Sequence, residues 1–264
     1  MDSYLLYEVN RERKVATITF NRAERLNSWA SEDWQEVTQA ISEAEKDDSV
    51  KVIIFKGAGK SFGTGHYIPS LQPDHGWKEK SEERRPSQRQ RLFTDRNKSL
   101  GAGGIMYSIT NCLKATIAQI QGYCYGGHFE FAANCDISIA SEEAVFTHAG
   151  YRYIGPMGNM PYLILAMGLK KAKEMMLTGT PLTASEALQC GLVNKVVPLD
   201  KLEEEVNRVA DNIARMPIDA IVMGKANFEL GLNILGVSTG FTASYITHTW
   251  QTNIRYEPDE FNLF

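Results

Sequence analysis

An α/β core followed by a helical C-terminal third is the fold this chain predicts, and three observations carry it. Short apolar or alternating runs recur between helix-like stretches as far as residue 148, glycines close several of those runs, and beyond residue 168 the periodicity is almost wholly helical.

Taken in order, "KVATITF" at 14–20 alternates with the period of a strand, and "LNSWASEDWQEVTQAISEAEKD" at 26–47 has helical spacing after a Ser/Asn-rich start. "VKVIIFKGAG" at 50–59 is a buried strand ended by glycines. "TIAQIQGYCYGG" at 116–127 is read as one further strand running into the helix "HFEFAANC". Two short strands follow, "CDISIAS" and "AVFTH". In the last third, "KKAKEMMLTG", "TASEALQCG" and "LDKLEEEVNRVADNIARM" read as helices, with Gly179 and Gly191 as stops, and a final helical stretch from about 217 carries Lys225. Residues 1–200 are therefore assigned to the core and 201–264 to a C-terminal helical region.

Bulk composition narrows the function classes. With 43% hydrophobic residues, 23% charged and a net charge of −4, the chain lacks the basic excess of nucleic-acid binders. Four scattered cysteines, Cys112, Cys124, Cys135 and Cys190, have neither C-x-x-C pairing nor histidines at ligand spacing, so no metal site is expected and a reducing compartment suits them. The N-terminal residues show no basic-then-apolar leader and no run is of membrane-spanning length, which makes the cytoplasm the expected location and the membrane no partner.

Residues 73–99 interrupt the pattern with a charge-dense segment holding five arginines. Two readings are open: a solvated surface helix or loop, and a lid or anion-binding edge. Glu130 raises a sharper question, because "GYCYGGHFEFAANCD" at 122–136 places a lone carboxylate in a stretch made for burial. Such a group needs a structural partner or a chemical task.

Four pieces, "VATITFNRAERLNS", "VIIFKGAGKSFGTGHYI", "IAQIQGYCYGGHFEFAANCDISIASEEAVF" and "MLTGTPLTASEALQCGLVNKVVP", occur in an order that resembles the crotonase (enoyl-CoA hydratase/isomerase) superfamily over most of residues 12–230. The resemblance implies a spiral of ββα units, a homotrimer or dimer of trimers, and an oxyanion hole made by the backbone N–H groups of His66 and Gly127. Glu130 falls where the family's hydratases keep the first of two catalytic glutamates. Coenzyme A is implied as part of the substrate, with no permanently bound cofactor. Contacts to substrate or CoA are implied for Arg25, Leu26, Trp29, Tyr67, Tyr151 and Arg152. Residues 245–261 are expected to pack on a neighbouring subunit and close its pocket, with packing inside their own chain as the alternative.

The chain departs from the family pattern after "AVFTH", where no second glutamate follows. Counting forward puts that position on Gly150 and counting back puts it on His148. His148 is the candidate replacement, since imidazole performs the same proton transfers. His128 stands where the family has a third glycine, and its side chain is expected beside the hole. The combination of His128, Glu130, His148 and Trp29 is similar to the β-diketone hydrolase branch. Three functions follow: an acyl-CoA hydratase or isomerase, a hydrolase of a cyclic β-diketone, and a catalytically silent binding protein.

Overall fold

The computed structural model describes residues 3–70, 87–101, 103–148, 151, 159–251 and 259–260. A six-stranded sheet runs in the order β1-β2-β3-β4-β6-β9, formed by β1 (Leu5–Asn10), β2 (Val15–Phe20), β3 (Val52–Gly57), β4 (Ala115–Ile120), β6 (Ile137–Ser141) and β9 (Lys195–Val197). Only β1 and β2 pair antiparallel within it; the other neighbours are parallel, as crossover connections require. A second, three-stranded sheet orders β5 (Tyr123–Tyr125), β7 (Val145–Thr147) and β8 (Leu182–Thr183), and a bridge from Gly63 to Cys124 extends it. Each turn of the chain thus lays one strand in the large sheet and the next in the small one before a helix, which is the spiral of ββα units.

This arrangement corrects one expectation. The stretch 116–127 is two strands in two sheets, because Gly122 turns the chain at φ +56, and a Cβ there would stand 2.0 Å from the Lys60 carbonyl oxygen. Sequence alternation is blind to such a corner, since both halves are apolar.

Helices cover both faces of the large sheet. α1 (Asp33–Lys46), α3 (Ile105–Thr110) and α4 (Gly127–Asn134) bury Trp34, Ile41, Ile109 and Phe131 in the main core with Ile18, Phe20 and Phe55. On the opposite face α8 (Leu199–Ala214) lays Leu202, Val206 and Ala210 over Val52, Ile54, Ile117 and Ile139. Its apolar spacing at 202, 206 and 210 is one helical stripe. In packing terms α8 therefore belongs with the sheet, although residue 201 begins the region assigned to the C-terminal helices. Gly179 and Gly191 do end their helices, α6 (Leu169–Thr178) and α7 (Ala184–Cys190), in the left-handed conformation.

In its described half the charge-dense segment is a helix, exposed at most positions but with one buried stripe. α2 (Gln88–Leu100) starts with a capping box between Ser87 and Gln90 and buries Arg91, Asp95 and Ser99. Residues 71–86 lie outside the described residues. What covers α2 is the last helix, α10 (Val237–Gln251), which follows α5 (Met160–Met167) and α9 (Ile218–Ile234) in the C-terminal part. Thr249 Oγ1 donates to Asp95 Oδ2 at 2.8 Å, His248 Nδ1 lies 3.2 Å from the same oxygen, and Ser99 Oγ donates to the Phe241 carbonyl. So the described part of residues 245–261 makes contacts within its own chain. Burial alone would raise the Asp95 carboxyl, but His248, Arg91 and Thr249 hold it below the usual carboxylate range.

Candidate active site

Three loops of the spiral meet at one end of α4. The first follows β2, where a 3-10 turn at Ala23–Arg25 ends with Leu26 and Asn27, both left-handed at φ 53 and 57. Two successive non-glycine residues in that region are costly and must be held in place. Asn27 does the holding: fully buried, its side chain accepts from Arg22 N–H at 2.9 Å and donates to the carbonyls of Ala58 and Ser61. This residue escaped the sequence reading, because a polar asparagine before a serine looks like an ordinary turn.

The second loop, after β3, runs alongside the first. Trp29 N–H donates to Gly65 O at 2.9 Å and Tyr67 N–H to Trp29 O at 2.7 Å, a parallel bridge that fixes His66 between them. Gly65 sits at φ +81, and a Cβ on it would approach Gly127 N to 2.9 Å. The third element is the start of α4. Gly126 turns at φ 55, and a Cβ on Gly127 would press to 2.7 Å against the Trp29 indole. Among the described residues neither the His66 N–H nor the Gly127 N–H donates a hydrogen bond to any protein group. Two unspent donors at a glycine turn and a helix start are what an oxyanion requires.

One helical turn further on, Glu130 is buried, and its Oε1 lies 3.3 Å from His148 Nε2 at the end of β7. The structure thus brings together the carboxylate and the imidazole that the sequence singled out. Position 150 lies outside the described residues. Glu130 faces a pocket lined also by Trp29, Trp34, His66, Lys98 and Ile105. Lys98 Nζ sits 5.2 Å from the Trp34 ring centroid, a cation–π distance. The His66 ring retains some exposure to this pocket, yet burial, followed by the charges of Lys98, His248 and His148, drives its pKa down to about 3. It is a neutral ring at physiological pH. Trp34 and Lys98 were not found in the sequence, since their meeting depends on α2 folding back over α1.

His128 is a different matter. Its ring is entirely buried, stacked on Trp29 at 3.8 Å and edge-on to Phe20 at 4.8 Å. It has no exposed surface and is not among the residues lining the pocket beside Trp29, Trp34 and Glu130. Burial, with a smaller contribution from His66, keeps its pKa well below the normal histidine value.

Of the residues expected to contact substrate, Trp29 lines the pocket with its Nε1–H buried and lacking an acceptor among the described residues. Arg25 is partly exposed, its guanidinium 4.6 Å from the Tyr67 ring centroid. Leu26 contributes its carbonyl to Thr64 Oγ1 at 3.3 Å. Tyr151 is exposed, and Arg152 lies outside the described residues.

A ββα spiral with paired, unspent backbone donors at the head of a helix defines the class as the crotonase superfamily. More narrowly, the chain belongs to the enoyl-CoA hydratase/isomerase family, whose model matches residues 10–251. It is 34% identical over 228 residues to a probable mitochondrial enoyl-CoA hydratase of Dictyostelium discoideum, covering 84% of this chain and 76% of that one. A short-chain-enoyl-CoA hydratase of Clostridium acetobutylicum is 30% identical over 85% of this chain and 81% of its own. The solved probable enoyl-CoA hydratase of Mycobacterium thermoresistibile superposes with a TM-score of 0.80 at 29% identity, over 94% of each chain. The protein is accordingly an enzyme of hydratase/isomerase type.

Proposed function

We propose that this enzyme binds an acyl-CoA thioester, holds its carbonyl oxygen between the His66 and Gly127 N–H groups, and stabilises the enolate formed there. The observation that carries the reading is the Glu130–His148 contact at 3.3 Å, one helical turn from an unspent N–H donor. In hydration, a water oxygen bonds to C3 of the enoyl group while its proton passes to the Glu130–His148 pair. The electron pair moves to the thioester oxygen, and the enolate collapses as C2 takes a proton from the same pair. Isomerisation uses the same groups to remove a proton from one carbon and return it two carbons away. His148 thereby takes the place of the missing second glutamate.

The partly exposed Arg25, stacked on Tyr67, suits a pyrophosphate, and supports coenzyme A as the carrier. Met223, Phe228, Leu230 and Ile234 of α9 leave apolar surface exposed, which supports a homotrimer or dimer of trimers. Four free cysteines support a reducing compartment such as the cytoplasm.

A second reading, hydrolysis of a carbon–carbon bond in a cyclic β-diketone, is favoured by the acceptorless Trp29 Nε1–H beside Gly127, which would suit a second carbonyl oxygen. Crotonyl-CoA separates the two readings. Hydration of it, with thermal stabilisation by acetyl-CoA, supports the first. Absence of both, with turnover of a bicyclic diketone, overturns it.

A further inference from the structure

His128, buried away from solvent, is tied to the loop that carries His66 by a directional chain of hydrogen bonds. Gly65 N–H can only donate, and it donates to His128 Nδ1 at 3.0 Å. The neutral ring must then carry its hydrogen on Nε2, which faces the Tyr4 hydroxyl at 3.1 Å. Tyr4 in turn donates to the Asn27 carbonyl at 2.7 Å. Each proton in the chain has one place to go, so the tautomer is fixed by its partners. A protonated ring would set an Nδ1–H against the Gly65 N–H.

The consequence falls on the next peptide. The Gly65 carbonyl is pinned from one side by Trp29 N–H, and the Gly65 N–H is pinned from the other by His128. With both flanking groups held, the His66 N–H has one direction left. Space allows no substitute arrangement, since a Cβ on Gly63 would fall 2.1 Å from the His128 ring. The same ring is the platform on which the Trp29 indole stacks, against Gly127.

We infer that His128 is a positioning residue, which, through Gly65, sets the direction of the His66 N–H toward the substrate oxygen. The inference rests on the acyl-CoA reading for its catalytic part. It is a role for a side chain with no access to substrate, and it explains why a buried imidazole occupies a place where glycine would pack more easily.

The test uses the full-length protein, crotonyl-CoA turnover, and two ligands: butyryl-CoA, and acetoacetyl-CoA, whose enolate places charge on the thioester oxygen. His128→Asn keeps an acceptor near the Nδ1 position, whereas His128→Leu removes it. We expect His128→Leu to lower kcat by about 10- to 100-fold with KM changed less than about 3-fold, since a misdirected donor matters most in the transition state. It should also lose the preference for acetoacetyl-CoA over butyryl-CoA, while His128→Asn recovers kcat to within about 5-fold of wild type. Hydrogen exchange at the Gly65 amide should accelerate in His128→Leu and stay slow in His128→Asn. Tyr4→Phe, a milder change that leaves the ring packing intact, should reduce kcat by about 3-fold without altering KM, and it carries the test should His128→Leu fail to fold. Equal losses in the Asn and Leu variants, or full kcat in a folded His128→Leu with an unprotected Gly65 amide, overturn the inference. Wild-type protein that neither hydrates crotonyl-CoA nor binds either ester overturns the acyl-CoA reading and the inference together, and that result is visible before any substitution is made.

Discussion

On one side of the site, His66 and Gly127 carry main-chain N–H groups whose directions are set by glycine turns, a strand-like bridge and the Asn27 side chain. On the other, Trp34 and Lys98 present side chains delivered by α1 and α2, and α2 is itself held by α10. The first wall is made from segments that the large sheet already fixes. The second depends on helix-to-helix contacts made across more of the chain. Backbone donors cannot be altered by ordinary substitution, so the chemistry common to the superfamily suits the first wall, and substrate preference suits the second.

The largest effect expected from breaking this contrast is at Gly127. Gly127→Pro deletes a main-chain donor and crowds the Trp29 indole, and kcat should fall at least about 100-fold. Full activity in a folded variant would remove Gly127 from the hole.

Next comes the pair that bridges the walls. Glu130→Gln and His148→Ala should each lower kcat by about 100-fold or more, with much smaller changes in KM. In the double variant the loss should be far less than the product of the two, as groups sharing one proton behave as a unit. Multiplicative losses in steady-state kinetics would show that they act separately.

A smaller effect separates the two histidines of the donor wall from bulk titration. His66 and His128 are both held below the ordinary histidine pKa of about 6.5, so they stay neutral in the folded protein while the unfolded chain takes up protons. Their contribution to stability is therefore complete above pH 6.5 and declines as pH falls, for His66 until about pH 3. Tm measured by circular dichroism should drop steadily below pH 6.5, and the drop should be shallower in His128→Asn. A Tm unchanged between pH 7 and pH 5 would contradict the neutral assignment.

Arg25→Ala should do least. If its exposed guanidinium holds the carrier as proposed, KM for crotonyl-CoA should rise about 3- to 10-fold with kcat unchanged.

The same contrast separates what the sequence revealed from what it hid. Glu130, Gly127 and His66 could be singled out as candidates because a glycine pair, a lone carboxylate in an apolar stretch and a G-T-G turn are local signals with local physical causes. The Glu130–His148 contact was half legible: the residue types were plain, but loop length left the second position between 148 and 150. Gly122 hid a corner between two apolar strands. The surroundings of His128 were hidden, as nothing adjacent in sequence announces that Tyr4 and Gly65 will close around its two nitrogens. The burial of α2 was invisible in a segment so rich in charge, because the groups that neutralise Asp95 stand in another part of the chain.

That last contact bears on when the site comes into being. Asp95 and Thr249 are 154 positions apart, so during synthesis the α2 carboxylate waits for nearly the whole remainder of the polypeptide before its hydroxyl partner exists. Contacts of such separation form late, after the loop-closure entropy between them has been overcome. The turn that carries Gly127 is held by Thr147 and by β7, whereas the α2 wall is sealed by α10 near the other end of the chain. A nascent chain would thus carry the turns around His66 and Gly127, still without the α10-sealed wall, until the final helix docks.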